Sequence, residues 1–243
     1  MGSIVEPNTS KVEYVYRIMP LRYFLTMLKR GKLYLPLVSK WDDPYELFLF
    51  KQKFIGSNGD FIDMMTHTYR IFGQCWTASR DSDAMWRIYS PDRMSVRIKT
   101  TTQNIAKLIE THQSNGLHVL SDWVEYKSQR DLTNYVKNLT VQSIFKDNIL
   151  EKSLFIKRSS FDYEKEYRIV AWLESFNEQN NFSLSYLEIP FDQDFIQEVY
   201  LDPRLSEEEV SLLKNALNLR IGGACKVSQS TLQKFKQQTI SYS

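Results

Sequence analysis

The stretch FDYEKEYRIVAWLE, residues 161–174, places Glu164, Glu166 and Arg168 at alternating positions ahead of an apolar run from Ile169 to Leu173. Alternate side chains of a strand share a face. Glu164, Glu166, Arg168, Val170 and Trp172 therefore face one way, and Tyr167 to Leu173 supply a core face on the other. Two carboxylates spaced roughly 6–7 Å along a strand repel one another unless a cation compensates, and Arg168 is the nearest one. Two chemistries fit this pattern. One is a charged ladder on a half-exposed sheet, where each surface pair contributes about 0–1 kcal/mol. The other is a cleft in which one carboxylate stabilises a cationic transition state and the other positions the attacking group.

Other segments add chemically able side chains. WDDPYE, residues 41–46, holds Asp42, Asp43 and Glu46 beside Trp41 and Tyr45. Pro44 pushes Asp43 to an extended backbone, so an Asx-type turn is the plain reading and metal binding the sharper one. The spacing lacks the Asp/Asn/Gly density of a calcium loop. SDAMWRIYS, residues 82–90, reads as a short helix with Met85, Trp86 and Tyr89 on one side. Such a stripe suits a core, and it also suits stacking on an aromatic ligand ring. His67, His112 and His118 share no metal-ligand spacing, and Cys75 and Cys225 stand far apart, so no metal is expected. A nuclease built on two carboxylates and a lysine needs the lysine two positions after a glutamate. Lys165 directly follows Glu164 instead and points away on a strand, which leaves that reading last.

The elements that must hold these groups follow from periodicity. VEYVYR (12–17) reads as a strand, Pro20 opens a helix that ends near Gly31, and KLYLPLV gives a short edge strand. Residues 40–60 read as loop ending in the turn GSNGD, 60–71 as a helix, GQCWTAS (73–79) and MSVRIKT as strands, and TTQNIAKLIETHQ as a helix between MSVRIKT and the strand LHVLSDWVEY. Residues 130–150 read as helical. Strands are expected near 166–174, 183–189 and 196–202, with the polar loop FNEQNN at 176–181. LSEEEVSLLKNAL carries a capping box from Ser206 to Glu209, and ACKVSQST is a last strand. Short turns between strands, interrupted by helices, imply an α+β fold with a mixed, mostly antiparallel sheet. The expected organisation is a flexible stretch at 1–10 followed by one domain over 11–243.

The totals set bounds. The chain has 243 residues, 42% hydrophobic and 25% charged, enough apolar material for a core. The net charge is +2, so no strong field steers it to nucleic acid, although a local basic patch is allowed. There is no apolar run of about 18 residues and no signal-peptide order. The expectation is a cytoplasmic protein without membrane contact.

Several motifs in order resemble a bacterial family of unknown function, DUF2971. YVYRIMPLRYFLTMLKRGKLYLPLVSKWDDPYE matches its opening strand and helix, its G-x-L-Y and its F-N-D-P-F-E. CWTAS matches its C-F-S strand, MWRIYS its M-W-x-x-Y helix, and YEKEYR its Y-E-x-E-x-R. Trp41-Asp42 departs from the family's Phe-Asn, and PDRMS stands where a glycine follows the M-W helix. The order of a first-strand arginine, G-x-L-Y and a late E-x-E is also similar to ADP-ribosyltransferases. That resemblance implies NAD as co-substrate and no metal, with Glu166 catalytic and Glu164 orienting or deprotonating the acceptor. It implies Arg17, beside Tyr16, on the pyrophosphate. Ser79 or Tyr89 takes the middle position, and Tyr89 or Trp86 stacks on nicotinamide. Arg168 joins the binding set. It further implies a toxin or phage-defence effector with a protein or nucleic-acid acceptor and a neutralising partner. The alternative is a non-catalytic nucleotide- or nucleic-acid-binding module in which Arg17, Trp86 and Arg168 grip phosphate and the carboxylates are counter-charges.

Overall fold

A strand with apolar side chains on both faces needs packing on both faces, and EYRIVAWL is such a strand. A computed structural model describes residues 13–56, 58–113, 116–146, 148–174, 184–235 and 239. The expected flexible stretch 1–10 and the FNEQNN loop lie outside the described residues.

The strands are β1 (Tyr14–Pro20), β2 (Lys32–Pro36), β3 (Phe54–Ile55), β4 (Phe61–Ile62), β5 (Ile71–Thr77), β6 (Ser95–Thr101), β7 (Leu117–Trp123), β8 (Glu125–Lys127), β9 (Ile156–Arg158), β10 (Glu166–Leu173), β11 (Tyr186–Pro190), β12 (Glu198–Leu201) and β13 (Lys226–Gln229). The helices are α1 (Leu21–Arg30), α2 (Asp83–Tyr89), α3 (Thr102–His112), α4 (Gln129–Lys137), α5 (Val141–Lys146), α6 (Ile149–Ser153) and α7 (Glu207–Ile221). The main sheet has seven strands in the order β13-β12-β6-β1-β5-β10-β7, and every neighbouring pair is antiparallel except β12–β13. This is the mixed, mostly antiparallel α+β sheet that the sequence implies.

Two apolar clusters sandwich the sheet. Phe72, Trp76, Tyr167, Ile169 and Ala171 join α1 and α3 residues on one face. Val170 and Trp172 join Val38, Leu49, Phe50 and the short helices α4 to α6 on the other. Tyr167, Ile169 and Ala171 thus form the core face read from the alternation, and the opposite face is buried as well.

Local signals explain several ends. Gly31 stops α1 with φ of 63°, a left-handed conformation that costs glycine little. Ser82 caps α2 through the Met85 amide, and the Ser206–Glu209 capping box opens α7. Differences are equally local. Residues 60–71 are not an α-helix: β4 and a 3₁₀ helix at Met64–Arg70 take their place, started by Asp63 accepting from the Met65 amide. The helical region 130–150 is broken into α4, α5 and the start of α6, and Asn148 sits at φ of 52° between the last two. Pro36 ends a strand that pairs only with β11, in a separate two-stranded ribbon.

One seam in the main sheet differs from the rest. β1 pairs with β6 over all of Tyr14–Pro20, but with β5 through the single register pair Tyr16↔Thr77. β5 in turn pairs with β10 from Thr77↔Glu166 to Ile71↔Trp172. The two halves of the sheet therefore diverge beyond Thr77.

Candidate functional site

Thr77 is the register partner of both Tyr16 and Glu166, so these three residues form one row across β1, β5 and β10. Adjacent strands lie about 4.8 Å apart. The row brings the early arginine segment and the late glutamate segment to the same seam.

Glu164 is not on the strand. It ends a 3₁₀ helix at Ser159–Glu164, and Lys165 turns the chain at φ of 44° into β10. The turn is tied to β5: the Thr77 hydroxyl donates to the Glu164 carbonyl, and the Ala78 amide donates to the Lys165 carbonyl at 2.9 Å. The Tyr126 hydroxyl of β8 accepts the Glu166 amide at 2.9 Å. Both carboxylates remain on the same side despite the turn.

They are buried, at 4% and 5% exposure, which removes the reading of a solvated ladder. Lys157 of β9 bridges them, with Nζ 2.6 Å from Glu164 and 2.9 Å from Glu166. Arg168, 0% exposed, donates from Nε to Glu166 at 2.6 Å, from Nη1 to the Leu154 carbonyl at 2.5 Å and from Nη2 to Glu46. Glu46 also lies 3.4 Å from Lys157 Nζ. Trp41 covers Arg168, its ring centroid 4.6 Å from the guanidinium carbon. That approach requires Gly73: a Cβ there would meet the Trp41 ring at 2.4 Å. Arg158 binds Asp43 at 3.0 Å and packs over Tyr45 at 4.1 Å. The Tyr45 amide donates to Asp43 at 3.0 Å, the Asx turn read from WDDPYE.

Three carboxylates thus face two cations in a desolvated cluster. Burial, with its hydrogen bond to Glu166, pushes Glu164 up to about 7. Burial is the largest influence on Glu166 and acts to raise it, but Arg168, Glu164 and Lys157 together outweigh it and hold the group down at about 2. Burial works against the charges of Lys157 and Arg168, and their acidic partners more than compensate, so both stay firmly protonated. Neighbouring carboxyls pushed apart in this way are suited to different roles, one a standing anion and the other able to exchange a proton near neutrality.

Arg17 occupies the diverging seam. Its Nη1 donates to the Cys75 carbonyl of β5 at 2.7 Å, and its buried Nε has no partner. Among the described residues no carboxylate reaches Arg17 within ion-pair distance. Burial lowers its affinity for its proton, with Cys75 and Tyr89 the groups acting the other way. Tyr89, 41% exposed at the end of α2, is raised by burial first and then by Glu164 and Glu166. It is thus within electrostatic reach of both Arg17 and the carboxylate pair.

The remaining expected site residues divide between the seam and its surroundings. Trp86 is 0% exposed and spends its indole N–H on Asp81 at 2.9 Å, so it offers no face to a ligand. Tyr16 packs with Trp86 and Tyr200 around Arg97, at 5.2, 5.8 and 4.4 Å from its guanidinium carbon. Arg168 is consumed inside the cluster, which corrects its expected role in gripping phosphate. The Ser79 amide donates to the Thr77 hydroxyl at 3.0 Å, placing it beside the seam. Sequence reasoning missed Lys157 and the entry of Glu46 into the cluster. The only available signal was the acidic density of WDDPYE. Among the described residues no group of His, Cys, Asp and Glu is placed to hold a metal, and no helix is long and apolar enough to cross a membrane.

No curated protein matches the chain. Among solved structures it is similar to DarT of Thermus sp. 2.9 in complex with NAD+, at 12% identity and a TM-score of 0.40 over 89% of this chain and 94% of that one. It is also similar to the same protein in complex with ADP-ribosylated ssDNA, at 13% identity and a TM-score of 0.40 over 89% and 93%. The family described as Protein of unknown function (DUF2971) matches residues 85–169, the span that runs from α2 into β10 and contains Tyr89, Lys157, Glu164 and Glu166.

Proposed function

We propose that the protein is an NAD-using ADP-ribosyltransferase-like enzyme whose site lies at the seam between β1 and β5. The observation that carries this reading is the Arg17 guanidinium in that seam, with one orphaned donor and no acidic partner, within electrostatic reach of exposed Tyr89, which in turn senses the Glu164–Glu166 pair. A half-buried cation with an orphaned donor suits a phosphate-bearing ligand. Tyr89 supplies a ring on which nicotinamide stacks. Breaking the bond between the ribose anomeric carbon and nicotinamide leaves its electron pair on the leaving nitrogen and positive charge on the sugar, as in glycoside cleavage. Glu166, held ionised, stabilises that charge. Glu164 accepts the proton of the attacking acceptor group. The acceptor is a protein or a nucleic acid, and the setting is a cytoplasmic toxin or phage-defence effector with a neutralising partner.

A second reading is favoured by one observation: both carboxylates already have cationic partners. The protein is then a nucleotide-binding module, with Arg17 as its anion contact. Incubation with NAD, with and without cell extract, separates the two. Nicotinamide release by the wild type that falls at least about 100-fold in Glu166→Gln supports the enzyme. Nucleotide binding that persists in Glu166→Gln, with no release by either protein, supports the module.

A further inference from the structure

WDDPYE has no assigned part in this chemistry, yet its last residue enters the buried cluster. Glu46 touches both cations: Arg168 through Nη2, and Lys157 at 3.4 Å. Lys157 is closer to Glu164 and Glu166, at 2.6 and 2.9 Å. Without Glu46, two carboxylates would face two cations and the cluster would be neutral with both ionised. With it, one negative charge is in excess, and a desolvated cluster answers an excess charge by binding a proton.

We infer that Glu46 is a positioning residue for the Glu164–Glu166 pair: it draws on both cations, so that Arg168 is shared between Glu46 and Glu166, Lys157 is shared among all three acids, and Glu164, with no contact to Arg168, becomes the proton-exchanging member. The groups facing Glu164 assign the proton to it. They are Lys157 from β9, Glu166 from β10, Tyr89 from α2, Tyr126 from β8 and Tyr163 from its own turn. Among the described residues Glu166 has two cationic neighbours, Arg168 and Lys157, whereas Glu164 has Lys157 alone. Burial and Glu166 raise Glu164 in accord with this division. Trp41, admitted by Gly73, packs its ring against the Arg168 guanidinium and helps hold it in place. The motif is therefore a distant determinant of the site's proton affinity, 118 to 120 residues earlier in the chain than the carboxyls it governs.

The test is a carboxyl 13C NMR titration of the full chain, with glutamate labelling and assignment by substitution. In Glu46→Gln, which keeps shape and loses charge, the Glu164 midpoint falls by about one pH unit or more, a tenfold loss of proton affinity. Glu46→Asp keeps the charge and holds the midpoint within about half a unit. In the wild type the Glu46 resonance shifts at the same midpoint as Glu164, a reading that needs no variant to fold. An unmoved Glu164 midpoint in Glu46→Gln, equal displacement in the Gln and Asp variants, or a Glu46 resonance indifferent to the Glu164 step overturns the inference. The inference rests on the proposed enzyme only for its activity arm, in which the pH profile of nicotinamide release moves with the NMR midpoint. A moved midpoint with no release by any protein leaves Glu46 as the determinant and removes the enzyme.

Discussion

Glu164 and Glu166 share a single ammonium, that of Lys157, at 2.6 and 2.9 Å. Only Glu166 has a second cation, Arg168 at 2.5 Å. The asymmetry gives the cluster a pH signature in stability. Glu166 is held below its unfolded value, so its contribution is complete above about pH 4.5 and is lost as pH falls toward about 2. Glu164 is raised to about 7, so the folded state binds its proton more tightly, and stability declines as pH rises from about 4.5 to about 7. The expected outcome is a denaturation midpoint that is higher at pH 5 than at pH 8. Glu164→Gln flattens that decline, and urea unfolding across the range measures it.

Arg168→Lys keeps the charge and loses the fork that serves Glu166, Glu46 and the Leu154 carbonyl together. Breaking a buried charge network costs about 3–5 kcal/mol when a partner is left bare. The lysine retains part of the pairing, so a loss of roughly 2–3 kcal/mol is expected. A calorimetric Tm unchanged from wild type would show that the network adds nothing to the fold.

Arg17→Met separates stability from binding. Arg17 is half-buried without an acid and its charge is disfavoured where it lies, so a neutral side chain of similar length leaves Tm unchanged or higher. The affinity for NAD, measured by calorimetric titration, falls at least about tenfold, the loss of one charge-assisted contact. A variant that melts early while still binding NAD would place Arg17 among the structural residues.

Gly73→Ala puts a methyl group 2.4 Å from the Trp41 ring. Overpacking of this kind costs about 1–3 kcal/mol. Displacement of Trp41 also uncovers Arg168. Reduced stability together with a red shift in tryptophan emission is the expected pair of results.

The legible and illegible parts of the molecule divide by distance along the chain. The alternation in EYRIVAWL, the Gly31 stop and the Ser206 capping box are local, and each element formed as its residues imply. The Asx turn at Asp43 is local too. Residues 60–71 read as a helix, but Asp63 turns the chain into a 3₁₀ segment that feeds β5 directly. The aromatic stripe on α2 offers both core and surface readings, and the structure divides it: Met85 and Trp86 are buried and Tyr89 is exposed. Lys157 and Glu46 were barely legible as site residues. Nothing in FIKRS, and only the acidic density of WDDPYE, hints that Lys157 and Glu46 will join the Arg168 cluster; the pairing of β8 with β9 and the packing of Trp41 on Gly73 bring them there.

A single rung joins β1 to β5. Past that rung no further β1–β5 register pair forms among the described residues; Arg17 reaches across to the Cys75 carbonyl, and Leu37 bridges β5 further along at Phe72. A strand-like guest added at that seam would compete with the Arg17–Cys75 hydrogen bond that spans it. Amide deuteration along both edges should run faster than along the β6 and β10 ladders, and an added dinucleotide should slow it there first.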